Sequence, residues 1–172
     1  MEELELTYLM KNIPDGLFDS PSKRIVDHYI PLESKHPTLR LRKNGEKMEL
    51  TKKEPIADGD SSRQLEETIP LTADEYEAIV KIPAKKVSKA RYYYPYQDRT
   101  LEVDVFDEDL AGLILVDVEF EEQGEKEKFV MPEFCLIEVT QDKNLAGGML
   151  AGKSFADIQV DLTAMGYVKI DN

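Results

Sequence analysis

The chain has 172 residues, 41% apolar and 33% charged, with a net charge of −13. That length buries a core without disulfides or metal staples, and the acidic balance excludes a general nucleic-acid binder, whose affinity comes from neutralising phosphates. A local basic site for a small anion stays open. The single cysteine, Cys135, excludes an internal disulfide and points to a reducing compartment. No apolar run reaches the ~20 residues of a membrane span, and the acidic N-terminus is unlike a signal peptide. A cytoplasmic protein of one domain, 1–172, is expected.

Residues 3–9 alternate charge with leucine, as a half-buried strand does. Ile13 to Gly16 reads as a turn, and Ser20 with Pro21 predicts a short helix to Val26. His28 to Pro31 begins an extended piece. Leu39 to Arg42 and Met48 to Lys53 read as strands joined at Lys43-Asn44-Gly45. Residues 54–62 form a polar loop, expected to be mobile. Arg63 to Ile69 reads as extended, and Thr72 with Glu75 as a capping box opening a helix to about Lys81. Strands are predicted over Val87–Pro95, Thr100–Phe106 and Ile114–Glu121. A short charged helix follows over Glu125–Val130, an extended patch within Pro132–Thr140, and a last helix from Ser154 to about Met165. Short strands, hairpin turns and few helices imply an antiparallel barrel or sandwich with helices outside, an α+β fold.

Residues i and i+2 of a strand share a face. Glu3 and Glu5, Arg40 and Arg42, Lys89 and Arg91, Glu102 and Asp104, and Asp117 and Glu119 therefore form like-charged faces, and Glu49, Thr51 and Lys53 share another. Solvated outer faces are the simplest explanation. Two facts favour another. The signs are segregated by strand, and crowded carboxylates repel unless a cation intervenes. Turned inward in a closed barrel, carboxylates would collect hard divalent cations and arginine forks would grip phosphate oxygens. The intervening apolar residues would then face outward, inverting the usual small-barrel layout.

Assembled in order, these segments resemble the CYTH superfamily, the triphosphate tunnel metalloenzymes. Glu3-Leu4-Glu5-Leu6-Thr7 is similar to the family's E-x-E-x-K strand, and Leu39-Arg40-Leu41-Arg42 to its L-R-x-R hairpin. Glu49 to Lys53 matches E-x-T-x-K; Lys89-Ala90-Arg91-Tyr92 matches K-x-R-Y; Glu102-Val103-Asp104 matches E-x-D. Asp117-Val118-Glu119-Phe120 and Glu138-Val139-Thr140 complete the series. Thr7 stands where the family has lysine, and Asp117 where it has glutamate. The resemblance implies an eight-stranded antiparallel β-barrel, a tunnel with helices packed outside, that hydrolyses inorganic tripolyphosphate or a small organic triphosphate with Mg²⁺ or Mn²⁺. Arg40, Arg42, Lys53 and Arg91 would hold phosphate; Asp104, Asp117 and Glu119 would hold a metal. Glu3 and Glu5 would hold a second metal or orient the attacking water, Lys89 would assist the leaving group, and Glu67 matches a further acidic position. Alternatives are a class IV-type adenylate cyclase and a non-catalytic polyphosphate or nucleotide-binding module. The partners expected are a small-molecule triphosphate or polyphosphate, with no nucleic acid and no membrane; a homodimer stays open.

The remaining features read as structural. His28 and His36 lack partners at zinc spacing. Cys135 reads as a buried thiol, Tyr92-Tyr93-Tyr94 as packing, and Gly147-Gly148 as a flexible turn with no phosphate-loop motif.

Overall fold

The computed structural model describes residues 2–56 and 61–171, with Glu2 and Glu3 described as backbone only. The 57–60 stretch, in the loop expected to be mobile, lies outside the described residues. Strands run over Glu2–Met10 (β1), Ser22–Ile30 (β2), Leu39–Asn44 (β3), Lys47–Pro55 (β4), Arg63–Pro70 (β5), Lys85–Tyr96 (β6), Arg99–Phe106 (β7), Ile114–Phe120 (β8) and Cys135–Glu138 (β9). Helices cover Ala73–Ile79 (α1), Gln123–Lys128 (α2), Gly147–Leu150 (α3) and Phe155–Ala164 (α4).

Neighbouring strands follow the order β5-β4-β3-β2-β6-β7-β8-β1, and β5 pairs back onto β1, so eight strands close a barrel. Every pairing is antiparallel. β9 lies outside the ring, against the C-terminal end of β1. The closed, antiparallel alternative between barrel and sandwich is therefore the one realised.

The barrel is inverted as anticipated. Outward residues of β1, β7 and β8, among them Tyr8, Leu101, Val103, Val116 and Val118, form one buried apolar cluster with Leu17, Phe134 and Cys135. Full burial of each large apolar side chain contributes about 1.5–3 kcal/mol. Much of this cover comes from irregular chain, not helix. Phe134 meets Tyr94 and Tyr96 edge-on at 5.8 and 5.5 Å, and Phe129 meets Phe120 at 5.4 Å. Tyr92, edge-on to Phe18 at 5.3 Å, and Tyr94 thus serve as packing residues.

A second cluster closes one end of the barrel. The inward residues Leu9, Tyr29, Val87, Phe106 and Leu115 pack with Leu145, Leu150, Phe155, Ile158 and Leu162 from the C-terminal part of the chain. The Tyr167 hydroxyl donates to the Gly112 carbonyl at 2.8 Å and accepts from the Ile114 amide at 2.9 Å, pinning the C-terminal segment onto the β7–β8 connection. The helix starts predicted at Thr72 and Ser154 are present and carry capping boxes, Thr72 with Glu75 and Ser154 with Asp157.

Two local expectations fail. The Ser20–Val26 helix is absent: Leu17–Asp19 makes a single 3-10 turn, Ser20 is extended, and β2 begins at Ser22. The β-branched pair Ile25-Val26 suits a strand, and the alternation of buried Ile25, Asp27 and Tyr29 has strand period. Pairing with β3 and β6 on both sides overrides the capping signal. Gly147-Gly148, read as a flexible turn, instead opens the helical turn α3. A Cβ on Gly147 would overlap the Tyr29 hydroxyl, and one on Gly148 the Pro37 carbonyl. Glycine there permits close seating on the barrel end. Among the described residues, no helix is long and apolar enough to cross a membrane.

Candidate active site in the barrel

The inward faces line a cavity of about 450 Å³. Register explains how one barrel gathers charges so distant in sequence. Arg42 lies opposite Asp27 on β2 and Glu49 on β4; Arg91 lies opposite Asp104; Glu102 and Thr7 both lie opposite Asp117; Glu5 lies opposite Glu119. The cavity walls bring together Glu5, Arg40, Arg42, Lys53, Lys89, Arg91, Asp104, Asp117 and Glu119. Of the residues expected to act, only the side chain of Glu3 lies outside the described residues; its backbone pairs with Gln64.

The charges are paired across strands. Asp104, 1% exposed, accepts from Arg91 Nε and Nη2 at 2.7 Å each and from Lys89 Nζ. Arg91 also donates through Nη1 to Glu102 and through Nη2 to Asp117 Oδ2 at 3.2 Å. Asp27, equally buried, takes both arms of a fork from Arg42, Nε to Oδ1 at 2.7 Å and Nη2 to Oδ2 at 2.8 Å. Lys53 Nζ and Gln64 Nε2 each lie 3.1 Å from one oxygen of Glu5. Arg40 Nη2 sits 3.7 Å from Glu66, while its Nε is buried with no hydrogen-bond partner among the described residues. The Thr7 hydroxyl donates to Asp117 Oδ1 at 2.8 Å, and the Thr7 amide donates to Thr140 Oγ1 at 3.0 Å.

These pairings set the protonation states. Burial pushes the Asp27 carboxyl up, but the Arg42 guanidinium overrides it and holds the group below its usual range. Asp104 behaves likewise: burial opposes ionisation, and Arg91 and Lys89 more than reverse it. Burial depresses the Lys89 ammonium despite Asp104 beside it, and raises Glu102 despite Arg91. The Cys135 thiol is pushed up to about 12 by burial alone, fitting a structural cysteine.

Several lining residues escaped the reading of the sequence. Asp27 was hidden because the first half of β2, through Val26, read as helix and the extended piece began only at His28. Glu66, not Glu67, faces the cavity: Gln64, Glu66 and Thr68 share the inner face of β5, while Glu67 shares the exposed face with Leu65 and Ile69. Glu102 belonged to the recognised anionic strand without receiving a role.

The residues fit a hard divalent cation in kind. The carboxylates Glu5, Glu102, Asp117 and Glu119 offer oxygen donors, the set that Mg²⁺ and Mn²⁺ take. Among the described residues no three acidic, histidine or cysteine side chains converge on one point. A Mg²⁺ or Mn²⁺ ion there would take one or two of these carboxylates and complete its shell with phosphate oxygens and water. The buried, unpartnered Nε of Arg40 is a donor suited to a phosphate oxygen.

No family model matches the chain. A Nitrosomonas europaea protein named inorganic triphosphatase is 32% identical over 153 residues, spanning 88% of this chain and 97% of its own length. The crystal structure of an inorganic triphosphatase superposes with a TM-score of 0.64 at 26% identity, covering 88% of this chain and 95% of the other. A Bacillus halodurans protein described as a candidate adenylate cyclase covers 99% of this chain and 94% of its own, at a TM-score of 0.52 and 12% identity, and so speaks to the fold alone. With that identity spread over nearly the full length of both sequences, on a closed eight-stranded tunnel, the chain belongs to the CYTH superfamily.

Proposed function

We propose that this protein hydrolyses a triphosphate, inorganic tripolyphosphate or a small organic triphosphate, inside the barrel with Mg²⁺ or Mn²⁺. The observation that carries the reading is the sharing of one cavity by guanidinium and carboxylate walls. Among its described lining residues are eight carboxylates and six lysines or arginines. A highly anionic chain would meet a wall already net negative, so it enters favourably as a complex with divalent cation. The relatives named as inorganic triphosphatases support the same chemistry.

Arg40 and Arg42 hold phosphate oxygens from one side, Lys53 and Arg91 from the others. The Asp27 fork occupies Nε and Nη2 of Arg42 and so fixes the direction in which Nη1 points. Asp117 and Glu119 would hold a cation together with phosphate oxygens and water, and Glu5 and Glu3 a second cation or the attacking water; Asp104 would join the first only if Lys89 and Arg91, which both its oxygens already serve, yield. When bound, the cation supplies charge neutralisation on the phosphate and a water of lowered pKa. Phosphoryl transfer asks chiefly for positioning and charge neutralisation. A water oxygen bonds to the terminal phosphorus, the bridging P–O bond breaks, and diphosphate and orthophosphate leave. Lys89, its ammonium depressed by burial, is suited to give a proton to the departing oxygen.

The test is orthophosphate release from tripolyphosphate with Mg²⁺ or Mn²⁺, beside the Arg42→Ala protein. Release well above that variant is expected. Equal rates for the two proteins would defeat the proposal.

A further inference from the structure

Thr7 is a neutral residue among ionised walls, and its surroundings fix it from two sides. On β1 it lies directly opposite Asp117 of β8, and its hydroxyl donates to Asp117 Oδ1 at 2.8 Å. Its amide donates to the Thr140 hydroxyl at 3.0 Å, and that hydroxyl donates in turn to Glu138 at 2.8 Å. Thr7 carries one hydroxyl proton, and Asp117 receives it.

The other oxygen of Asp117 accepts from Arg91 at 3.2 Å. The two donors differ in kind. Arg91 is a cation facing a cavity read as a phosphate site, and a phosphate oxygen competes for the same guanidinium. A neutral hydroxyl held between strands attracts phosphate far less and keeps its carboxylate partner. Were Arg91 to turn to substrate, Thr7 would be the contact that remains on Asp117 among those of the described residues. A donor of this kind sets the orientation of a carboxylate without neutralising its charge, as outer contacts of metal ligands do.

We infer that Thr7 is a positioning residue: its hydroxyl holds Oδ1 of Asp117 so that the carboxylate stays oriented to bind a divalent cation. The inference rests on the proposed reading of the tunnel as a metal–triphosphate site. Thr7→Val replaces the hydroxyl by a methyl of similar shape and keeps a β-branched residue in the strand. Thr7→Ser restores the hydroxyl.

Mn²⁺ binding to the purified full chain without any phosphate, followed by calorimetry, reads the effect separately from turnover. Thr7→Val should bind Mn²⁺ about tenfold more weakly, the lower end for loss of an outer contact, while Thr7→Ser binds within about threefold of the unaltered protein. Thermal melting of Thr7→Val close to the unaltered protein would show that the loss is local. Unchanged Mn²⁺ affinity in Thr7→Val overturns the inference, and so does a rise only in KM for tripolyphosphate, which would make Thr7 a substrate contact. If the unaltered protein releases phosphate in a Mn²⁺-dependent manner, the proposed function stands through either result. If it neither binds Mn²⁺ nor releases phosphate, both fall together.

Discussion

Replacing Asp27 by asparagine tests whether the tunnel charges hold the fold as pairs. The Asp27 side chain is 2% exposed and that of Arg42 12%, and two charge-assisted bonds of 2.7 and 2.8 Å join them. Burying either ion alone is far costlier than burying the pair, and removing one partner of a buried pair costs about 3–5 kcal/mol. Asparagine keeps the shape and one acceptor, so the lower end applies. At ~2–4 °C per kcal/mol for a domain of this size, Asp27→Asn should lower Tm by roughly 10 °C. Circular dichroism melts read this directly. Arg42→Met should cost a similar amount, but the double variant buries no unpaired charge and should recover much of the loss, a coupling of about 2 kcal/mol or more. Additive losses, or an Asp27→Asn protein melting within about 1 °C of the unaltered chain, would refute the argument that the pair is one energetic unit.

Two further predictions concern acid and the barrel end. Asp27 and Asp104 are held below their usual pKa when folded, so in acid the unfolded chain binds protons first. Their contribution is complete above the unfolded value of about 4 and is lost as pH falls through the folded values; Glu102, shifted upward, works in the opposite direction. Tm measured from pH 7 to 3 should fall below about pH 4, and more steeply than in Asp27→Asn; parallel profiles would exclude Asp27 as a source. Gly148→Ala would press a methyl against the Pro37 carbonyl, which is backbone and cannot swing aside. A loss of about 1–3 kcal/mol is expected, with faster proteolysis between residues 139 and 155, and an unchanged melt would refute the tight seating of α3.

The legible part of the molecule is the part with a two-residue period. Leu39 to Arg42, Lys89 to Arg91, Glu102 to Asp104 and Asp117 to Glu119 each declare a strand and divide its faces, and the barrel places every one of those charges on the inner wall. What local pattern could not supply was the neighbour. Ile25 to Tyr29 alternates as clearly as the others, yet Ser20-Pro21 upstream imitates a helix start, and pairing with β3 and β6 decides the matter. Glu66 and Glu67 differ only by which side of β5 each occupies. That is set by registers such as Lys53 opposite Glu66, which no residue of β5 announces alone. The role of Gly147-Gly148 is likewise invisible locally, since it depends on Tyr29 and Pro37, over a hundred residues away.

The same pairings bear on how a phosphate chain could be bound tightly and still be released. Five of the six described lysines and arginines of the tunnel are already close to a carboxylate: Arg42 to Asp27, Arg40 to Glu66, Lys53 to Glu5, and Lys89 and Arg91 to Asp104. A phosphate chain would therefore not gain the full attraction of unpaired guanidinium groups. It would gain the difference between phosphate and carboxylate as partner, enlarged by whatever cation then occupies the released carboxylates. Such an exchange would keep the buried charges paired on both sides of the reaction and avoid stranding an ion in the interior. It would also make phosphate affinity and divalent-cation affinity mutually dependent, since each bound species would free the partner that the other requires. Thr7 stands outside this exchange because its contact to Asp117 is neutral, and for that reason it can hold one carboxylate steady while the charged partners change.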